Sequence, residues 1–218
     1  PWKWGPFWTN VVKLGNENRE SFGRGLLCAA HVEGDELNLS RELGGDRLTV
    51  LGVVCALMSS LRVLNLSDNK LGPKGGAAVA EGLKVTGALK ELHLGANELG
   101  DAGATAIVDA LRLNSSLTGL LLGLWRNQIG DASASAIAEA LRVSGSVVDL
   151  NVYHNNIGDE GSKAIAEMLR VNASLTSINL KENQLGDEGW GAIFRGVCGN
   201  KDGKIAKYGS PEDILKEF

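Results

Sequence analysis

The stretch that decides the fold is residues 91–112, ELHLGANELGDAGATAIVDALR. Leu92 and Leu94 alternate with His93 and Gly95. A period of two sends one pair to one face and the other pair to the opposite face, as in a short strand. Asn97 follows where the chain must turn, and its side-chain amide can satisfy backbone groups left open by that turn. Gly100 suits a turn of unusual φ, and Asp101 after it suits a helix N-cap. Ala106, Ile107, Ala110 and Leu111 then fall at helical spacing, the small Ala allowing a close approach to the sheet. Arg112 closes the helix, where the macrodipole favours a cation. The unit is strand, turn, helix and return.

The same pattern recurs on both sides. Asn69, Asn97, Asn127, Asn155 and Asn183 are spaced 28, 30, 28 and 28 residues apart. Five and three residues before each Asn stand Leu64/Leu66, Leu92/Leu94, Leu122/Leu124, Leu150/Val152 and Ile178/Leu180. Two after each stands Leu71, Leu99, Ile129, Ile157 or Leu185, then Gly72, Gly100, Gly130, Gly158 or Gly186. Asp131, Asp159 and Asp187 repeat the part of Asp101, and Lys84, Arg142 and Arg170 that of Arg112. One unit cannot bury its own apolar face, so the units must stack, with the Asn amides aligned as a ladder. Many of the chain's 29 glycines thus recur at fixed turn and helix-entry positions, three residues past each Asn and six past Asn69, Asn97, Asn155 and Asn183.

The consensus LxxLxLxxNxLGDxGxxAIAxALR resembles the leucine-rich repeat in its 28-residue, ribonuclease-inhibitor-like form. The resemblance covers residues 61–200 and is specific for fold rather than function. It implies an α/β solenoid, a curved horseshoe with a parallel sheet on the concave side and helices on the convex side. Residues 61–200 then hold five repeats. Residues 35–60 read as a degenerate capping repeat, because Leu37-Asn38-Leu39-Ser40 mirrors Leu64-Asn65-Leu66-Ser67. Arg41 is read there at the place of the ladder Asn, and Leu48–Leu57 as the helix. Residues 201–218 read as a cap of one short strand and a helix opened by Ser210-Pro211-Glu212-Asp213. Residues 1–34 stand outside the repeat as an arm in which Trp2, Trp4, Phe7 and Trp8 cluster around Gly5-Pro6. These aromatics either cover the first rung or dock on a partner, and a membrane-surface role has too few basic residues to support it.

Composition limits the function classes. Of the 218 residues, 44% are hydrophobic and 22% charged, which is too apolar for a disordered chain. A net charge of −4 argues against a nucleic-acid binder that neutralises phosphates. No apolar run reaches membrane-spanning length. Cys28, Cys55 and Cys198 are odd in number and form no CxxC pair, which favours a reducing, intracellular compartment, the cytoplasm first. The chain opens on Pro1, so an organelle stays open if a targeting segment was removed.

Searching for chemistry yields no catalytic set. No phosphate loop, HExxH or GxSxG occurs. Cys55 falls in an apolar helical pattern and reads as core. His93 and His154 map to the sheet two rungs apart, which is thin for a metal site. Asn200-Lys201-Asp202-Gly203 resembles part of a calcium loop but lacks its closing acid. Sequons at Asn38, Asn65, Asn114 and Asn172 read as chance. No catalytic, cofactor-binding or metal residue is assigned, and no cofactor is expected.

A binding surface is easier to locate. The outward strand positions run Val63, Asn65, Ser67; Glu91, His93, Gly95; Leu121, Gly123, Trp125; Asp149, Asn151, Tyr153; and Ser177, Asn179, Lys181. The third unit carries two extra residues between Leu117 and Asn127, either a bulge or a longer loop. Trp125, between His93 and Tyr153 on neighbouring rungs, reads either as local repacking of that insertion or as a hot spot. Arg126 and His154 would be its rim, and Leu121, Asp149 and Lys181 would extend it. Trp190 lies on the helix side as convex packing or a second contact. The expectation is a non-enzymatic protein–protein interaction module, a scaffold or accessory subunit, binding protein through the concave face, the arm or both. It would bind no nucleic acid and span no membrane. The resemblance implies two alternatives, a small-GTPase regulator like Ran GTPase-activating protein and a repeat fragment of a NOD-like sensor.

Overall fold

Short alternating segments and regularly placed Asn turns fold into one sheet with helices packed against one of its faces. The computed structural model describes residues 31–33, 36–41 and 61–200. In chain order the elements are β1 (His31–Glu33), β2 (Glu36–Asn38), β3 (Val63–Asn65), α1 (Gly72–Leu83), β4 (Glu91–His93), α2 (Gly100–Leu113), β5 (Leu120–Gly123), α3 (Asp131–Val143), β6 (Val147–Asn151), α4 (Asp159–Leu169), β7 (Ser177–Asn179) and α5 (Asp187–Gly199). The strands pair in sequence order. β2 to β7 are parallel, whereas β1 pairs antiparallel with β2. That antiparallel strand lies within the segment set apart as an arm, and it continues the sheet beyond the first repeat-like strand.

Leu64, Leu92, Leu122, Leu150 and Ile178 are in register from rung to rung. With Leu66, Leu94, Leu124, Val152 and Leu180 they are fully or almost fully buried. They meet Ile107, Ile137, Ile165 and Ile193 from the helices in one continuous core. At about 1.5–3 kcal/mol per buried aliphatic side chain, this repeated row is the main stabilising term. The helices can sit close because small residues face each other. A Cβ on Gly76 of α1 would lie 2.7 Å from the Gly103 Cα of α2, and one on Gly196 of α5 would lie 2.5 Å from the Ala166 carbonyl oxygen of α4.

The Asn ladder forms as the repeat demands. Each amide Nδ2 donates back to the preceding rung: Asn69 to Leu39, Asn97 to Leu66, Asn127 to Leu94, Asn155 to Leu124 and Asn183 to Val152 carbonyls. In return the Oδ1 of Asn97, Asn127 and Asn155 accepts the backbone N–H of Asn69, Asn97 and Asn127, and that of Asn183 the N–H of Ile157. Rungs are thus joined by side chains as well as by strand pairing.

The helix starts differ from the sequence expectation. In α3, α4 and α5 the N-cap is Gly130, Gly158 or Gly186, and the Asp that follows makes no side-chain cap bond to its own helix. Its carboxylate caps the next helix instead. Asp131 accepts from the N–H groups of Gly158 and Gly161, and Asp159 from those of Gly186 and Gly189. The missing side chain at Gly161 makes the room, since a Cβ there would stand 2.6 Å from the Asp131 carboxylate. Asp101 takes the Gly130 N–H and the Ser133 hydroxyl. The Ser133 hydrogen bond holds the Asp101 carboxyl below the usual carboxylate range, against the opposing effect of its partial burial.

A second Asn row closes the other end of the helices. Asn114, Asn172 and Asn200 donate to the carbonyls of Leu83, Leu141 and Leu169, the last turns of the preceding helices. Asn114 and Asn172 are also two of the four sequon residues, and their buried amides are committed to these bonds and to Thr86 and Leu175. Arg41 is corrected by one position. Its N–H bonds the Ser67 carbonyl as that of Asp68 bonds Gly95, so it occupies the site of Asp68 rather than of the ladder Asn. It pairs with Asp68 at 3.3 Å. The aromatic arm of 1–8, Cys28, Cys55, the expected helix at 48–57 and the cap at 201–218 lie outside the described residues.

Candidate binding surface on the open face of the sheet

Because side chains alternate along each strand, every buried Leu is flanked by residues that point away from the helices. The pairing register lines these up across rungs in rows. The first row is Glu36, Val63, Glu91, Leu121, Asp149 and Ser177. The second is Asn38, Asn65, His93, Gly123, Asn151 and Asn179. A third row, just past the strands, holds Ser67, Gly95, Trp125, Tyr153 and Lys181.

The two extra residues of the third unit sit before β5. Gly119 has φ +72°, a left-handed conformation that glycine adopts without a Cβ clash. The pairing with β6 shifts between Leu120 and Leu121. Lys90 Nζ donates to the Thr118 carbonyl at 2.6 Å and ties the bulge to the rung before it. Past the bulge the register is regular, so Leu121, Gly123 and Trp125 share the open face. Leu121 is 37% exposed, a large apolar side chain presented to solvent.

Trp125 is half-buried and lies back over the preceding rung. A Cβ built on Gly95 would fall inside its indole, 1.9 Å from Cε2. Gly95 is therefore the seat of Trp125, a pairing that the sequence carries as a lone Gly in a third-row position otherwise filled by Ser, Tyr or Lys. His93 Nε2 donates to the Glu91 carboxylate at 3.2 Å, and both side chains are about two-fifths exposed. Tyr153 and His154 have ring centroids 5.7 Å apart. Asn65, Asn151 and Asn179 turn their Oδ1 onto the N–H two residues ahead, which satisfies the strand ends and stiffens the second row.

The structure thus brings His93, Leu121, Trp125, Asp149, Tyr153 and Lys181 onto one face. Arg126 and His154 stand at its rim. Both adopt positive φ, as do Arg41, Asp68, Ala96 and Glu182 at the equivalent place in other rungs. Trp190 is partly buried on the helix side against the core. Among the described residues no group of three or more His, Cys, Asp or Glu side chains is placed to hold a metal ion. Among them, too, no helix is long and apolar enough to cross a membrane.

One exposed feature escaped sequence reasoning. Val85, Leu113, Val143 and Val171 are 72%, 69%, 73% and 58% exposed at the ends of α1 to α4. Their signal was present, since each directly follows the basic residue that ends a helix. Those basic residues are paired within their own helices, Lys84 with Glu81, Arg112 with Asp109, Arg142 with Glu139 and Arg170 with Glu167.

Comparison with known proteins agrees with this architecture. The sequence profile of the leucine-rich repeat matches residues 58–80, 89–108, 146–166 and 171–194. The unmatched unit between them is the one with the inserted bulge. No curated protein matches the chain. Among solved structures, one described as leiomodin-1 actin-binding site 2 superposes with a TM-score of 0.51 at 17% identity, covering 99% of this chain and 97% of that one.

Proposed function

We propose that this chain, a leucine-rich repeat protein, works as a non-enzymatic protein-binding module whose contact surface is centred on Trp125. The carrying observation is the placement of Leu121, Trp125 and Tyr153 on one face turned away from the core. Large apolar and aromatic side chains in that position are costly to leave wet and are the usual anchors of interfaces. His93, Asp149, Lys181, Arg126 and His154 supply the polar rim expected around such anchors. The sheet spans about 24 Å over five rungs, enough for one partner surface of standard size. A scaffold or accessory-subunit role follows from binding without chemistry. The aromatic run Trp2, Trp4, Phe7 and Trp8 is a second surface, tested separately.

Affinity purification from the source cells tests this reading. A stoichiometric protein partner is expected with the wild-type chain. Trp125→Ala and Leu121→Glu should release it while the fold stays intact by circular dichroism. A partner retained by both variants contradicts the assignment of the surface. Actin is the first defined partner to try, on the fold likeness to the leiomodin-1 segment, and a co-sedimentation assay with the same variants decides that case.

A further inference from the structure

The first row of the open face has a charge pattern that names the chemistry of its partner. Leu121 is flanked in register by Glu91 on one rung and Asp149 on the other. Glu36 stands further along the same row, and that row contains no cation. Lys90, next to Glu91 in sequence, is drawn away to the Thr118 carbonyl at the bulge. Among the described residues the Asp149 carboxylate has no hydrogen-bond or ion-pair partner, and that of Glu91 has only the part-buried contact with His93. Two strands' separation puts about 10 Å between the backbones that carry the two carboxylates. The exposed Leu121 side chain lies between them, while Gly123 beyond it is buried, with His93 Nδ1 3.5 Å from where its Cβ would stand.

We infer that this notch takes an arginine or lysine side chain from the partner protein. The aliphatic stem would lie on Leu121 and the charged head between Glu91 and Asp149. Such a side chain matches the site in both of its parts, an apolar stem and a cationic head. Trp125, four residues along the same strand path, takes the neighbouring apolar residue of the partner. The partner segment is therefore basic and apolar in alternation, in keeping with the acidic net charge of this chain. This inference rests on the open face being the binding surface, and its test separates the two.

A random-peptide phage library panned against the full chain provides the probe. Selected peptides are expected to carry Arg or Lys beside an aliphatic or aromatic residue. Their affinity should fall about ten-fold or more in the Glu91→Gln/Asp149→Asn variant and should weaken steeply between about 50 mM and about 300 mM salt. Trp125→Ala should weaken the same peptides without changing their salt dependence. Peptides without a basic residue, or with an affinity indifferent to Glu91→Gln/Asp149→Asn, overturn the inference. If such peptides still lose binding in Trp125→Ala, the open face remains the surface and only its charge preference is wrong. If they ignore Trp125→Ala as well, or if no peptide is selected, both readings fall.

Discussion

Replacing Asn127 by Ala removes the central link of the ladder, and its cost can be worked from the bonds. The Asn127 side chain is fully buried. Its Oδ1 accepts from the Asn97 N–H at 3.0 Å and the Leu99 N–H at 3.3 Å. Its Nδ2 donates to the Leu94 carbonyl at 2.8 Å and the Trp125 carbonyl at 3.2 Å. The two carbonyls keep other donors, the Asn97 amide for Leu94 and the Ala96 N–H for Trp125. The two N–H groups lose their acceptor in a buried place. At about 1–3 kcal/mol for each orphaned buried donor, the loss is about 3–4 kcal/mol, allowing for one weak bond. Asn183 is the control. It is half-buried, and among the described residues its Oδ1 accepts only the Ile157 N–H, at 3.1 Å. Water can reach that site, so Asn183→Ala should cost about 1 kcal/mol. Urea unfolding of the two variants, followed by far-ultraviolet circular dichroism with an unchanged m value, measures the difference. Equal losses, or a loss below about 1 kcal/mol for Asn127→Ala, would refute the claim that buried donors set the cost.

Three further outcomes follow. Gly95→Ala pushes a methyl group into the Trp125 indole and should cost about 1–3 kcal/mol, but close to nothing in a Trp125→Ala background; additive losses in the double-mutant cycle contradict the seating of the indole on Gly95. Gly76→Ala meets the Gly103 backbone, which cannot swing aside as a side chain can, and should lower the thermal midpoint more than Ala77→Ser on the exposed side of the same helix, as read by calorimetry. Asp101 has a folded pKa below its ordinary 3.8, so its contribution to stability is full above the unfolded pKa and is lost as pH falls below about 4 through the folded value. Carboxyl-carbon NMR should show that pKa rising towards 3.8 in Ser133→Ala, and an unmoved titration would show that the hydroxyl is not its main cause.

What the sequence made legible follows the strength of its periodicity. Five Asn at near-equal spacing, each framed by two inward Leu or their equivalents, allow no other stacking, and the core and the ladder came out as read. The helix entries did not. Asp after Gly matches the local signature of an N-cap, but that signature does not show that the neighbouring helix start lies nearer than the residue's own. The Gly six residues past Asn155 and Asn183 was the available clue, because a missing side chain at Gly161 and Gly189 leaves room for a carboxylate from the adjacent rung, whereas the same place past Asn127 holds Ser133, whose hydroxyl bonds Asp101. The second Asn row was also present, but it was hidden at Asn114 and Asn172 by coincidence with glycosylation sequons and at Asn200 by the likeness to a calcium loop. At the candidate site, parity placed Leu121 and Trp125 on one face correctly. The tilt of the indole onto Gly95 was not legible, because it depends on contact between rungs and not on spacing within one. Arg41 was misplaced by one residue because the first repeat-like unit is offset by 27 residues from the next, and the full 28 was assumed.

The most direct test of the binding surface is site-specific photocrosslinking in the source cells. A benzophenone amino acid replaces Tyr153 on the open face in one variant and Ala77 on the exposed side of α1 in another. A discrete protein adduct is predicted at position 153, absent at position 77 and abolished when Trp125→Ala is added. An adduct at position 77 alone, or one at 153 that survives Trp125→Ala, would contradict the account.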